Sequence, residues 1–143
     1  MSRYLALSVV CLLFPVAARA QDEIVKDFSS TQVEKFIKDV MKSEPIKTQK
    51  TDTVYYSTPD GQFDLYLRTA PKKALFFKYP HQSLKRTQDQ IDSWNAGMHF
   101  THAFIEKGQV ILQASLDLEA GLSMRQLTDF YAQIQAERLE FSK

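Results

Sequence analysis

The sequence predicts an α+β domain in which one antiparallel sheet packs against helices. Two observations carry this reading. Apolar residues recur at helical spacing after Ser29, after Ser83 and after Ser123, and the segments between them alternate with a period of two or run apolar for a few residues. The resulting order is α-β-β-β-α-β-β-α.

The first helix starts at Ser29, where Ser29-x-x-Gln32 fits a capping box and Phe28 can staple against Val33. Val33, Phe36, Ile37, Val40 and Met41 trace one buried face, and Glu44-Pro45 stops the helix because a residue before proline avoids helical geometry. Three strands follow. A first spans about 47–57, with Val54, Tyr55 and Tyr56; Thr58-Pro59-Asp60-Gly61 turns the chain; a second alternates Phe63, Leu65 and Leu67 with Asp64, Tyr66 and Arg68. A third, Ala74 to Tyr79, is nearly continuous in apolar residues, suits the sheet centre, and ends at Pro80.

The spacing from Ser83 to Ala96 is helical again, with Leu84, Ile91 and Trp94 on one side and Gly97 as the stop. Met98 to Glu106 and Gln109 to Leu118 form a hairpin across Lys107-Gly108. The last helix starts at Ser123, with Ser123-x-x-Gln126 as a second capping box and Leu127, Phe130, Tyr131 and Ile134 on its core face.

Export is expected from the N-terminus. Arg3 supplies a positive start, Leu5 to Phe14 an apolar run too short to span a bilayer, and Ala18-Arg19-Ala20 a cleavage site, so residues 1–20 read as a cleaved signal and 21–143 as one domain. The mature protein is then periplasmic or secreted, in a Gram-negative bacterium, with no stable membrane insertion after cleavage. Cleavage removes Cys11, the only cysteine, and with it any disulfide or thiolate chemistry. Loss of Arg3 and Arg19 from the 18 basic residues leaves 16 against 17 acidic ones. A near-neutral chain gives no electrostatic case for nucleic acid.

Nothing in the sequence assembles a catalytic site. There is no G-x-S-x-G elbow, glycine-rich phosphate loop or H-E-x-x-H. His99 and His102, on one predicted strand, fall on opposite faces and do not share a metal. Asp117 and Glu119 share a face, but two carboxylates are too few for calcium, and they are expected to stay exposed or cap a helix start. No cofactor and no metal are expected, and the chain is read as a non-enzyme.

The run Gln90-Ile91-Asp92-Ser93-Trp94-Asn95, the aromatic strand start near Phe100, and Leu116 to Ser123 (Leu-Asp-Leu-Glu-Ala-Gly-Leu-Ser) resemble the YbjN-domain family, whose members are labelled bacterial sensory transduction regulators. The likeness runs from about Asp27 to Phe141. It implies a fold similar to type III secretion chaperones, with apolar surfaces offered to partner chains and frequent dimerisation, and it implies no catalytic residues. The motif residues Trp94, Asn95, Asp117, Glu119, Gly121 and Ser123 also have a structural reading: Trp94 fills the helix–sheet interface, Asn95 satisfies backbone near the helix end, Gly121 adopts a conformation other residues resist, and Ser123 caps.

The aromatic content of the first three strands favours binding. If Phe63, Leu65 and Leu67 face the helices, Tyr66 faces away, and one of Phe76 and Phe77 joins it; Tyr66 and Phe76 are the candidate partner surface. The expected function is therefore a non-catalytic protein- or peptide-binding module, chaperone-like and able to form a homodimer. A small periplasmic hydrolase and a self-associating envelope protein are the alternatives.

Overall fold

The computed structural model describes residues 23–59, 62–81 and 83–143. The expected signal with Ala18 and Ala20, and the Asp60-Gly61 part of the expected turn, lie outside the described residues. Among the described residues three helices and six strands form the α+β fold: α1 (Ser30–Asp39), β1 (Ile46–Lys50), β2 (Thr53–Ser57), β3 (Asp64–Arg68), β4 (Ala74–His81), α2 (Gln88–Ala96), β5 (His102–Glu106), β6 (Gln109–Asp117) and α3 (Met124–Phe141). The strands make one antiparallel sheet in the order β1-β2-β3-β4-β6-β5.

Each helix opens on a reciprocal pair between its cap and a glutamine three residues on. Ser29 N–H donates to Gln32 Oε1 at 2.9 Å, Thr87 N–H to Gln90 Oε1 at 2.9 Å, and Ser123 N–H to Gln126 Oε1 at 2.9 Å. At the second and third caps the glutamine N–H also donates back to the hydroxyl, at 3.3 Å and 3.1 Å. These bonds serve N–H groups that the first helical turn leaves without partners. α2 begins at this Thr87 cap, so residues 83–87 are irregular rather than the predicted first turn, although Leu84 still packs on the core.

The helices pack on one face of the sheet. Phe77 of β4 meets Phe36 of α1 at 6.1 Å and Phe130 and Tyr131 of α3 at 5.8 Å and 6.2 Å, while Leu65, Leu67, Leu75, Tyr79 and Leu112 complete the buried layer. A bridge between Val25 and Leu122 ties the start of the described chain to the loop before α3.

Three strand boundaries differ from the sequence reading. The predicted 47–57 strand is a hairpin, β1 and β2, turning at Thr51-Asp52 with Thr51 at φ 30°. Only its second half carries the alternation, with Val54 and Tyr56 buried, whereas all of β1 is exposed. β4 runs through Pro80 to His81, because β3 stops pairing at Lys78 and the missing N–H of Pro80 faces a side with no partner strand. The strand predicted from Met98 begins at His102, since the backbone N–H groups of Phe100 and Thr101 are drawn out of the sheet by Glu137.

Candidate functional site

The period-two geometry of the strands places Tyr55, Tyr66 and Phe76 directly opposite one another on the sheet face away from the helices, with Phe77 in the core. Phe76 is thus the neighbour that joins Tyr66. The rings stand side by side: Tyr66 stacks on Phe76 at 4.6 Å and 9°, and Tyr55 tilts against Tyr66 at 5.9 Å. The Arg68 guanidinium lies 5.0 Å over Phe76, and Lys50 Nζ lies 5.6 Å over Tyr55. This column uses its own ring faces, so what it offers a partner is ring edges, hydroxyls and the flanking cations rather than a platform for stacking flat groups.

The column is held in place from below. Tyr66 Oη donates to Gln113 Oε1 of β6 at 2.9 Å, and burial, followed by the nearby Tyr55 and Glu106, pushes its phenol above the ordinary value. Beside it, Tyr55, Tyr56, Ser57, Asp64, Tyr66 and Lys78 line a depression of roughly 290 Å³. Burial raises the Asp64 carboxyl against the opposing pull of Lys78, while the hydrogen bond and charge of Lys78 hold exposed Glu106 below the usual carboxylate range. Tyr55 is 41% exposed and Ser115, next along from Phe76, is exposed as well.

The motif residues fall in two places: Trp94 and Asn95 by the β5 edge, and Asp117, Glu119, Gly121 and Ser123 around the end of β6 and the start of α3. Asn95 makes two hydrogen bonds to one residue of β5: its Nδ2 donates to Ala103 O, and Ala103 N–H donates to its Oδ1, each at 2.8 Å. Its target is a strand, not the end of its own helix. Trp94 is half-buried and packs against the edge of the core. Its indole stacks on His99 at 3.6 Å and 2° and meets the edge of Phe141 at 4.8 Å, because the chain folds back after α2 instead of entering a strand. Gly97 permits the fold-back, since a Cβ there would lie 2.8 Å from the His99 ring. Consequently His99 and His102 do not share a strand, and His102 faces outward on β5 beside Phe104.

Asp117 and Glu119 are both exposed, the first of the two expected outcomes, and they cap backbone in a loop rather than at a helix start. Asp117 Oδ1 accepts from Glu119 N–H at 2.8 Å, and Glu119 Oε1 accepts from Lys73 N–H at 2.9 Å. Gly121 has φ +83°, and a side chain there would meet Val25 O at 3.0 Å and Lys26 Cα at 3.1 Å. Ser123 is the α3 cap described above.

The sequence reading missed two side chains. Glu137 of α3, 8% exposed, accepts from Phe100 N–H at 2.8 Å, Thr101 N–H at 2.8 Å and the Thr101 hydroxyl at 2.6 Å. Arg86 donates to Phe141 O at 2.6 Å. A glutamate on a helix face reads as solvated from sequence; the only cue is its place one turn after Ile134 on the buried side. An open groove of roughly 450 Å³ lies here, with Arg86, Asp89, Ser93, His99 and Glu140 among its walls. No hydrogen bond joins Ser93, His99 and Asp89. Among the described residues no group of three His, Cys, Asp or Glu side chains could hold a metal ion, and no helix is long and apolar enough to cross a membrane.

The YbjN family model, described as "Putative bacterial sensory transduction regulator", matches residues 73–141, from the start of β4 to the end of α3. This part of the chain is similar to the YbjN family. The matched segment holds Phe76 and every motif residue from Trp94 to Ser123. The fold is also that of a solved structure described as "Crystal structure of YbjN, a putative transcription regulator from E. coli", with 14% identity, a TM-score of 0.54, and coverage of 83% of this chain and 91% of that one. No curated protein matches the chain.

Proposed function

We propose that this YbjN-like chain is an exported, non-catalytic module that binds a protein or peptide, or a second copy of itself, in the manner of a chaperone. The observation that carries this reading is the one-sided sheet: helices cover the Phe77 face, while Tyr55, Tyr66 and Phe76 stand on the other with two cations beside them. Aromatic and arginine side chains together are what protein interfaces favour at their centres. Export is supported by the signal-like residues 1–20, and N-terminal sequencing of the protein from a periplasmic fraction tests it, with Gln21 as the expected first residue. Crosslinking from the aromatic face tests the binding role.

A small hydrolase is the second reading, favoured by the groove that Ser93, His99 and Asp89 all line. It requires ester or peptide hydrolysis that is lost in both Ser93→Ala and His99→Ala.

A further inference from the structure

The two outer strands of the sheet have different free edges. On β5, Ala103 turns its N–H and C=O away from β6, and Asn95 takes both; Thr101 just before it gives its N–H and hydroxyl to Glu137. Side chains fill this edge at Ala103 and just before it. At the other end, Thr69 N–H donates to Asp52 O, so the even-numbered residues of β2 bond to β3 and the odd-numbered ones to β1. β1 therefore uses Ile46, Thr48 and Lys50 to bond Ser57, Tyr55 and Thr53, and turns the N–H and C=O of Lys47 and Gln49 out of the sheet.

All five residues of β1 are exposed. An edge with unpaired backbone groups is a template for another strand, and lysines on it ordinarily discourage pairing. Here both lysines are engaged within the chain: Lys47 Nζ lies 2.7 Å from Glu34 Oε1, and Lys50 lies over Tyr55.

We propose that β1 pairs antiparallel with β1 of a second copy of this chain, about a two-fold axis at Thr48. In that register Lys47 faces Gln49 of the other copy in both directions, Thr48 faces Thr48, and Ile46 faces Lys50, so no lysine opposes a lysine. The two Lys47–Gln49 pairs each exchange two backbone hydrogen bonds. The interface is isologous, and the sheet becomes continuous through both copies. A five-residue strand buries less than the ~1,200 Å² of a standard interface, so the dimer is weak and concentration-dependent. This inference rests on the second-copy arm of the proposed function and uses a different surface from the aromatic face.

Sedimentation of the purified chain up to ~1 mM, with hydrogen exchange on the same samples, tests it. The expected result is reversible dimerisation with concentration-dependent protection of the Lys47 and Gln49 amides. Gln49→Glu places a carboxylate opposite each Lys47 and tightens the dimer about five-fold, whereas Gln49→Lys weakens it by a similar factor. Gln49 is exposed on an edge strand, so both variants are expected to stay folded, which circular dichroism checks. A chain that stays monomeric throughout, or a dimer indifferent to both Gln49 variants, overturns the proposal. Crosslinking of a different protein at the aromatic face is unaffected by either failure.

Discussion

Asn95 of α2 and Ala103 of β5 hold each other through two hydrogen bonds of 2.8 Å, one in each direction. A side-chain amide here does the work of a neighbouring strand, offering the same donor and acceptor to an edge residue that is 1% exposed. Asn95→Ala leaves both backbone groups of Ala103 without partners, at a cost of about 1–3 kcal/mol. Urea unfolding measures the loss, and the Ala103 amide changes from slowly to rapidly exchanging.

Glu137→Gln keeps one acceptor oxygen where the carboxylate presents two, so either Phe100 N–H or the Thr101 pair faces an NH₂ group. The expected cost is about 1–3 kcal/mol. Glu137 and Asn95 anchor the two ends of the same connection between α2 and β5. The double variant should therefore lose less stability than the two single losses added together, and a double-mutant cycle measures the difference.

Gly121→Ala forces an alanine into the left-handed region at φ +83° and drives its Cβ against Val25 O and Lys26 Cα. The backbone conformation alone costs about 1–3 kcal/mol, and the close approach adds to it by straining the Val25–Leu122 bridge. Thermal unfolding is the measurement, with Gly108→Ala, whose φ is +78° but which has open space around it, isolating the conformational part.

His81 gives a pH dependence whose sign is set by burial and then by Arg138 and Arg86, all of which hold its imidazole below the ordinary 6.5. Below that value the unfolded chain takes up a proton that the folded chain resists. The folded state therefore loses stability as pH falls from about 6.5 toward the lowered folded value, and the neutral-pH stability is kept above it. His81→Gln flattens this limb of the stability profile.

His99→Ala uncovers one face of the only tryptophan, which His99 covers at 3.6 Å. Emission from Trp94 should shift to the red, and His99→Phe should restore the native spectrum.

What the sequence made legible was local. Ser29 and Ser123 with their glutamines marked helix starts, and the alternation of Phe63, Leu65 and Leu67 marked a half-buried strand, because each signal lies within a few residues. Thr87-Gln90 carries the same cap signal, but apolar Leu84 extended the helical pattern past it. The rest depended on distant partners. The late start of β5 is decided by Glu137, more than thirty residues on, and the break between β1 and β2 by a left-handed Thr51 that no glycine announces. The candidate surface was half legible: alternation turned Tyr66 away from the core, but only its register with β4 selected Phe76 over Phe77.

The most direct test of the binding role places a photo-crosslinking residue at Ser115, beside Phe76 on the open face, and at Ala132, exposed on α3, in cells exporting the chain. Binding through the sheet predicts a discrete crosslinked protein species from position 115 that is absent from 132 and lost when Tyr66 and Phe76 are both changed to serine. No species at 115, or the same species at both positions, contradicts it.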